Sequence, residues 1–392
     1  MHTRVVWSPS LLAYDFGPQH PMAPLRLEAT FGLAEELGLL DLPTVEIVGA
    51  EVAADSLLEL THAPAYVAAV RHCSETGEVD VDHGLGNEDN PVFRGMHEAA
   101  ARVVSGSVDG ALAVWTGEAQ HAVNLAGGMH HAMPDHASGF CVYNDAAVAI
   151  RAALDAGAER VAYVDIDAHH GDGVERAFWD EPRVLTISVH ETGHALFPGT
   201  GHPGDLGGSA ARGHAVNLAL PSRTGDGEWL RAIHSLVPQL LRAFQPQLVV
   251  SQHGCDTHRL DPLTNLAVSV DAQREAAVLL HDLVHEVADG RWLALGGGGY
   301  AVAHVVPRVW AHLLGIAAHA PVDLSTPLPA HWHDRAAATW GVAIPATMGD
   351  DVVLPRVRTF AEGYDPANDV DRAILATRRA AFHWHDLDPM LD

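Results

Sequence analysis

The stretch VAYVDIDAHHGDGVERAF, residues 161–178, sets three aspartates (Asp165, Asp167, Asp172) and two histidines (His169, His170) directly behind an apolar run. The run itself, β-branched and aromatic, reads as a buried strand, so the polar residues mark its end. Alternate side chains of a strand share a face, which predicts that Asp165, Asp167 and His169 point the same way. A carboxylate and an imidazole two residues apart can hold one cation, and Gly171 and Gly173 let the chain turn sharply afterwards. The plainer reading is that the aspartates cap the next helix and His169 is a core histidine. The rest of the chain supplies the partners that decide between the two.

Comparable runs recur at HAVNLAGG (121–128), RVLTISVH (183–190), HAVNLAL (214–220), QLVVSQHG (247–254) and RWLALGGGG (291–299). Helical patterns lie between most of them, over 144–158, 228–244 and 271–290. Strands alternating with helices predict an α/β fold whose parallel sheet is covered on both faces. Sites in such sheets form beyond the carboxyl ends of the strands. The strands here end in His130 and His131, Asp167 and His169, His190, Asp256 and Tyr300, and one shared site is the simplest account of them. The rhythm stops near Pro321, which predicts a main domain over residues 1–320 and a C-terminal extension over 321–392 packed on it.

Composition narrows the function. Of 392 residues 48 % are hydrophobic, enough for a large core, yet no apolar run approaches the roughly 18 residues of a membrane span. The first residues lack the basic-then-apolar layout of a signal peptide, so a cytoplasmic location is expected. A formal charge of −27 repels nucleic acid and suits cationic partners. All 23 basic residues are arginine, which removes a phosphate-loop lysine, a Schiff-base lysine and a lysine general base. Cys73, Cys141 and Cys255 are scattered and form neither a disulfide framework nor a cysteine metal site.

Asp256, in QHGCDTHRLDPL at another strand end, is the best third ligand beside Asp167 and His169. Such a set balances a divalent cation and leaves positions open, the mark of a catalytic site. His130 and His131, in GGMHHA, offer a general base and a general acid, and Asp165 and Asp172 are available to orient their far ring nitrogens. Tyr300, after four glycines, is placed to donate its hydroxyl to a developing oxyanion.

GGMHHA, SGFCVYND, DIDAHHGDGVERAF, FPGTG, HGCDTHRLDPL and GGGGY, in that order, resemble the zinc-dependent histone deacetylase superfamily, most closely its bacterial acetoin-utilisation branch. The resemblance spans roughly Val5 to Ile316. It implies an arginase/deacetylase-like three-layer α/β/α fold around a mainly parallel eight-stranded sheet. It also implies metal ligands Asp167, His169 and Asp256, catalytic His130, His131 and Tyr300, and histidine partners Asp165 and Asp172. Phe140 and Phe197 would wall a tunnel for the acetyl-lysine stem, with the Gly139 carbonyl and Leu263 lining it, Asp89 at its rim, and Arg26 near a cavity behind the metal. The metal would be Zn2+, with Fe2+ an equal fit to the ligand set. Structural K+ would sit at an inner site (Asp165, Asp167, His169, Ser188, Val189) and an outer one (Phe178, Glu181, Val184, His214). Cys255 departs from the smaller residue of many relatives.

The implied reaction is hydrolysis of Nε-acetyl-lysine in proteins to lysine and acetate, acetyl-CoA synthetase being a candidate target. An acetylpolyamine amidohydrolase and a non-catalytic acetyl-lysine binder are the alternatives. Guanidine hydrolysis would need a second aspartate cluster that the sequence lacks. Neither nucleic acid nor membrane is expected as a partner, and oligomeric state is left open.

Overall fold

A computed structural model describes residues 2–392. Its sheet is built from β1 (Thr3–Val6), β2 (Val45–Val48), β3 (His121–Asn124), β4 (Val161–Asp165), β5 (Val184–Glu191), β6 (Ala215–Leu220), β7 (Leu248–Gln252) and β8 (Trp292–Leu295). The order across the sheet is β2-β1-β3-β8-β7-β4-β5-β6, and every neighbouring pair is parallel. Six of these strands are the apolar runs seen in the sequence. The remaining two, β1 and the edge strand β2, are not among those runs; β2 is only partly buried and mixes Glu46 with its apolar residues.

Among the described residues twelve α-helices complete the layers: α1 (Leu25–Glu36), α2 (Asp55–Leu58), α3 (Pro64–Thr76), α4 (Met96–Thr116), α5 (Asp145–Asp155), α6 (Asp172–Ala177), α7 (Asp226–His234), α8 (Val237–Phe244), α9 (Val270–Val287), α10 (Val306–Ala317), α11 (Ala330–Trp340) and α12 (Asp369–Ala381). Local chemistry sets several of their starts. Asn144, Ser269 and Asn368 each accept a backbone N–H of the first turn, capping α5, α9 and α12. The 228–244 pattern, which predicts one helix, is instead α7 and α8. Pro238 has no N–H to return to His234, whose carbonyl takes the Gln239 side chain at 3.3 Å.

Strand alternation assigns the faces. Ala122 and Leu293 meet α4 at Gly110, whereas His121 and Trp292, one residue earlier on the same strands, face α9 and the end of α10. The parallel eight-stranded sheet with helices on both faces is the arginase/deacetylase-like architecture. Its register puts Asn124, Leu295, Gln252, Asp165 and Ser188 in one row across five central strands. The loops that follow this row leave the sheet at the same level and side by side, which is what brings residues far apart in sequence to one place.

Residues 321–392 lie against both ends of this sheet. Trp332 of α11 donates its indole N–H to Ala29 O at 2.9 Å. At the other edge α12 covers β6, with Thr377 donating to Asn217 O at 2.7 Å and Arg231 of α7 paired with Asp371 at 2.6 Å. Covering β6 removes an open strand edge. No helix among the described residues is long and apolar enough to cross a membrane.

Candidate active site

β4 stops at Asp165, so the strand alternation expected to align Asp165, Asp167 and His169 does not reach the last two. The loop aligns them by another device. Asp167 N–H donates to Asp165 Oδ1 (3.1 Å) and His169 N–H to Asp167 Oδ1 (2.9 Å), each carboxylate accepting from the backbone two residues ahead. Asp256 arrives from the loop after β7, and its Oδ1 accepts Ala168 N–H at 2.8 Å. One ligand atom from each of Asp167, His169 and Asp256 falls within 4.8 Å of the others, and all three residues are buried. Gln252 Nε2 and Gly298 N–H hold Asp167 Oδ2 at 2.7 and 2.8 Å. A side chain at Gly298 would run into both carboxylates, so only glycine admits this approach.

These residues fit a divalent cation. Burial, and then the like charge of Asp167, push the Asp256 carboxyl up to about 7. Against the penalty of burial, the two carboxylates raise His169 well above its ordinary range. The cluster thus draws positive charge to its centre, and two carboxylates with one imidazole are a donor set that Zn2+ or Fe2+ accepts.

His130 and His131 follow the Gly127-Gly128 turn after β3. That turn is held by Asp145, which accepts Gly128 N–H (3.0 Å) and Met129 N–H (2.8 Å). His130 Nδ1 is 2.8 Å from Asp165 Oδ2, and His131 Nδ1 is 2.7 Å from Asp172 Oδ1. The two pairs are not equivalent. Burial opposes charge on His130, but Asp165 and Asp167 overcome it and raise the ring to about 9. For His131 burial prevails and, with His130 beside it, lowers the ring to about 4. Their surroundings thus push the two rings in opposite directions.

A cavity of about 210 Å³ opens onto this cluster and is lined by Asp89, His130, His131, Gly139, Phe140, Asp167, His169, Phe197, Leu263 and Tyr300. Exposure grades along it. Asp89 and Phe197 are exposed, Phe140 and Leu263 partly buried, and the histidines and Asp167 buried. Gly139 and Phe140 both adopt left-handed backbone, φ 52° and 69°. For Phe140 this is strained, and Tyr14 holds it by donating to Phe140 O at 2.8 Å while accepting Val142 N–H at 3.1 Å. A side chain at Gly139 would collide with His131 and Phe197.

Tyr300 lines the same cavity. Burial, and then the charge of Asp256, raise its hydroxyl well above the usual phenol range, so it stays a donor at neutral pH. Its backbone N–H donates to Asp261 Oδ2 at 2.7 Å. Arg26 spans the glycine loop from behind, donating to Gly297 O (2.9 Å) and Gly299 O (3.0 Å).

Other expected residues lie apart. His190, expected at the shared site, is buried within β5, its Nε2 2.9 Å from Gly201 O and its Nδ1 2.8 Å from Ser188 Oγ. It stands on the Ser188 side of β5, against His170 and Gly201, and does not line the cavity. Ser188 stands level with Asp165 on β5, and Val189 follows it. Phe178, Glu181 and Val184 form successive turns at the other end of β5, with Glu181 N–H on Phe178 O and Val184 N–H on Glu181 O, and His214 O accepts Thr186 N–H. Sequence reasoning passed over Asp145, Asp261, Tyr14 and Gln252. All but Tyr14 stand inside quoted stretches, but their partners are only set by folding.

The family model described as "Histone deacetylase domain" matches residues 20–317. The chain is 38 % identical over 383 residues to "Acetoin utilization protein AcuC" of Bacillus subtilis (strain 168), covering 95 % of this chain and 97 % of that protein. It is 34 % identical over 368 residues to the protein of that name from Staphylococcus xylosus, and 35 % to that of Staphylococcus aureus (strain MRSA252), each time over 92 % of this chain and 94 % of the relative.

Proposed function

The chain belongs to the histone deacetylase family, and from that premise we propose that it hydrolyses Nε-acetyl-lysine side chains of proteins to lysine and acetate. The observation that carries this reading is the graded cavity: exposed Asp89 and Phe197 at its mouth, buried ligands and histidines at its base. A narrow apolar passage with a polar end suits an aliphatic stem that carries an amide at its tip.

Asp167, His169 and Asp256 would hold the Zn2+ or Fe2+ ion, which when bound supplies Lewis-acid polarisation of the acetyl oxygen and acidifies water. Phe140 and Phe197 grip the stem, Leu263 and the Gly139 carbonyl complete the wall, and Asp89 accepts backbone N–H groups of the substrate at the rim. His131, neutral and oriented by Asp172, takes a proton from the attacking water and passes it to the leaving amine. His130, held by Asp165, donates toward the negative charge that develops beside it. Tyr300 donates its hydroxyl to the same developing oxyanion. K+ bound through Ser188, Val189 and the Asp165–His169 segment, and through Phe178, Glu181, Val184 and His214, would stiffen these loops. We read residues 1–320 as the catalytic domain, with 321–392 as its packed extension, working in the cytoplasm. Acetyl-CoA synthetase is the candidate target.

The charge of −27 favours a second reading, an acetylpolyamine amidohydrolase drawing in a cationic substrate. Turnover of acetyl-lysine peptides beside acetylputrescine and acetylspermidine, with and without a hydroxamate, separates the two. Faster hydroxamate-sensitive turnover of the peptides is expected. Preference for the polyamines would replace the reading, and binding of acetyl-lysine without turnover would sink it.

A further inference from the structure

At the opposite, amino end of the sheet, four histidines from three parts of the chain meet: His121 on β3, His281 and His285 one turn apart on α9, and His319 just past α10. A nitrogen of each ring lies within 4.8 Å of a nitrogen of every other. The six separations between ring centres run only from 4.6 to 5.4 Å. Six near-equal separations among four points describe a tetrahedron. A zinc–imidazole bond of about 2.0–2.1 Å sets ring centres about 3.1 Å from an ion, hence about 5.1 Å from one another when tetrahedral.

We propose that His121, His281, His285 and His319 form a second, structural metal site for a borderline dication of the Zn2+ class. Imidazole suits Zn2+, Ni2+, Co2+ and Cu2+ alike, and four protein ligands leave no open position, as in structural zinc sites.

Three further observations point to a ligand. The Nε2 atoms of His121, His281 and His285 are buried and have no hydrogen-bond partner, an arrangement that costs stability unless something binds them. His121 Nδ1–H donates to Ala317 O at 2.7 Å, which fixes the tautomer with its Nε2 lone pair free, the usual way a metal-binding histidine is oriented. His319 takes a left-handed backbone, φ 56°, at the helix-terminal position where glycine is the usual residue, so a histidine there is retained at a conformational cost. Burial first, with the neighbouring imidazoles adding, lowers His121 to about 3, so the ring presents itself neutral as a ligand must. His319 is exposed and gives the ion an entry path. The ion would tie β3, α9 and the end of α10 together where residues 321–392 begin.

The test uses full-length protein without a polyhistidine tag, stripped by chelator and titrated with Zn2+, in the wild-type chain and in His285→Ala/His319→Ala. Elemental analysis after desalting should find one equivalent fewer in the double variant, with turnover of an acetyl-lysine peptide within about twofold of wild type. Protein carrying Asp256→Asn alone should also gain melting temperature on Zn2+ addition, and lose that gain when His285→Ala/His319→Ala is added. The single surface change His319→Ala, which disturbs no core, should weaken Zn2+ binding at this site at least about tenfold and so covers failure of the double variant to fold. Equal zinc content with and without His285 and His319, or no effect of His319→Ala on affinity, overturns the proposal. Neither outcome depends on what the enzyme deacetylates.

Discussion

Asp261 Oδ2 accepts the backbone N–H of Tyr300 at 2.7 Å and that of Ala301 at 3.3 Å, so the carboxylate five residues beyond Asp256 anchors the tyrosine of the neighbouring loop. Asp261 also accepts Leu263 N–H at 3.1 Å. It therefore ties Leu263 to Tyr300, two residues that line the same cavity. Asp261→Ala deprives three partly buried N–H groups, those of Leu263, Tyr300 and Ala301, of this acceptor and lets Tyr300 drift. Turnover should fall by about 10²-fold, the cost of misplacing a reacting group by about 1 Å, while zinc content by elemental analysis stays at the wild-type value. Loss of metal alongside activity would assign Asp261 to the ligand cluster instead.

Tyr300→Phe removes one hydroxyl and keeps the ring, the glycine loop and every metal ligand. Turnover should drop by about 10²–10³, the effect of one missing oxyanion donor, with substrate binding much less affected. Turnover, metal content and melting temperature are measured on one preparation. Normal turnover with a lowered melting temperature would make Tyr300 a structural residue.

Asp167→Asn and Asp256→Asn each replace an anionic ligand by a neutral amide. Both should lose the ion of this site, because two carboxylates are what balance a dication there. Metal content is compared with that of wild type, and full retention in both variants would mean that the ligands lie elsewhere.

Asp172→Asn tests how His131 is oriented. Asp172 Oδ1 accepts the His131 Nδ1 proton at 2.7 Å, which leaves the Nε2 lone pair free. An amide that presents its N–H there reverses the tautomer, so kcat should fall by about 10²–10⁴, the range of general acid–base contributions. An unchanged rate would show that His131 needs no fixed tautomer.

Acid should loosen the docked C-terminal segment. Burial works against the Asp371 carboxylate, but Arg231 and Arg358 hold its pKa below the ordinary value. Asp350 is likewise held low, against burial, by His258 and Arg308. A carboxyl whose folded pKa lies below its unfolded one contributes stability that is complete above the unfolded value, about 4. The contribution is lost as pH falls through the folded value. Melting temperature should therefore decline steeply below about pH 4, and less steeply in Asp371→Asn, which has already lost the pair. Parallel declines in the two proteins would exclude Asp371 as a source.

The sequence by itself determined what depends on neighbours in the chain. Six apolar runs declared six of the eight strands, because helices cover both faces of the sheet and strands buried on both sides are apolar almost throughout. The helix between them at 145–155 was legible from its period, whereas its cap, Asn144, was seen only in the structure. The candidate site residues were legible because chemistry-bearing side chains crowd the loops behind those runs. The sequence did not settle how they are aligned: β4 ends before Asp167, and hydrogen bonds two residues ahead replace strand alternation. Tertiary structure alone decided the pairings across long separations, Asp261 with Tyr300, Tyr14 with Phe140, Gln252 with Asp167. It also gathered His121, His281, His285 and His319, which share no motif, into one tetrahedral cluster. The reason is physical: periodicity reports which face of an element is buried, whereas sheet order and register decide which loops end side by side. Both are set by packing over the whole chain.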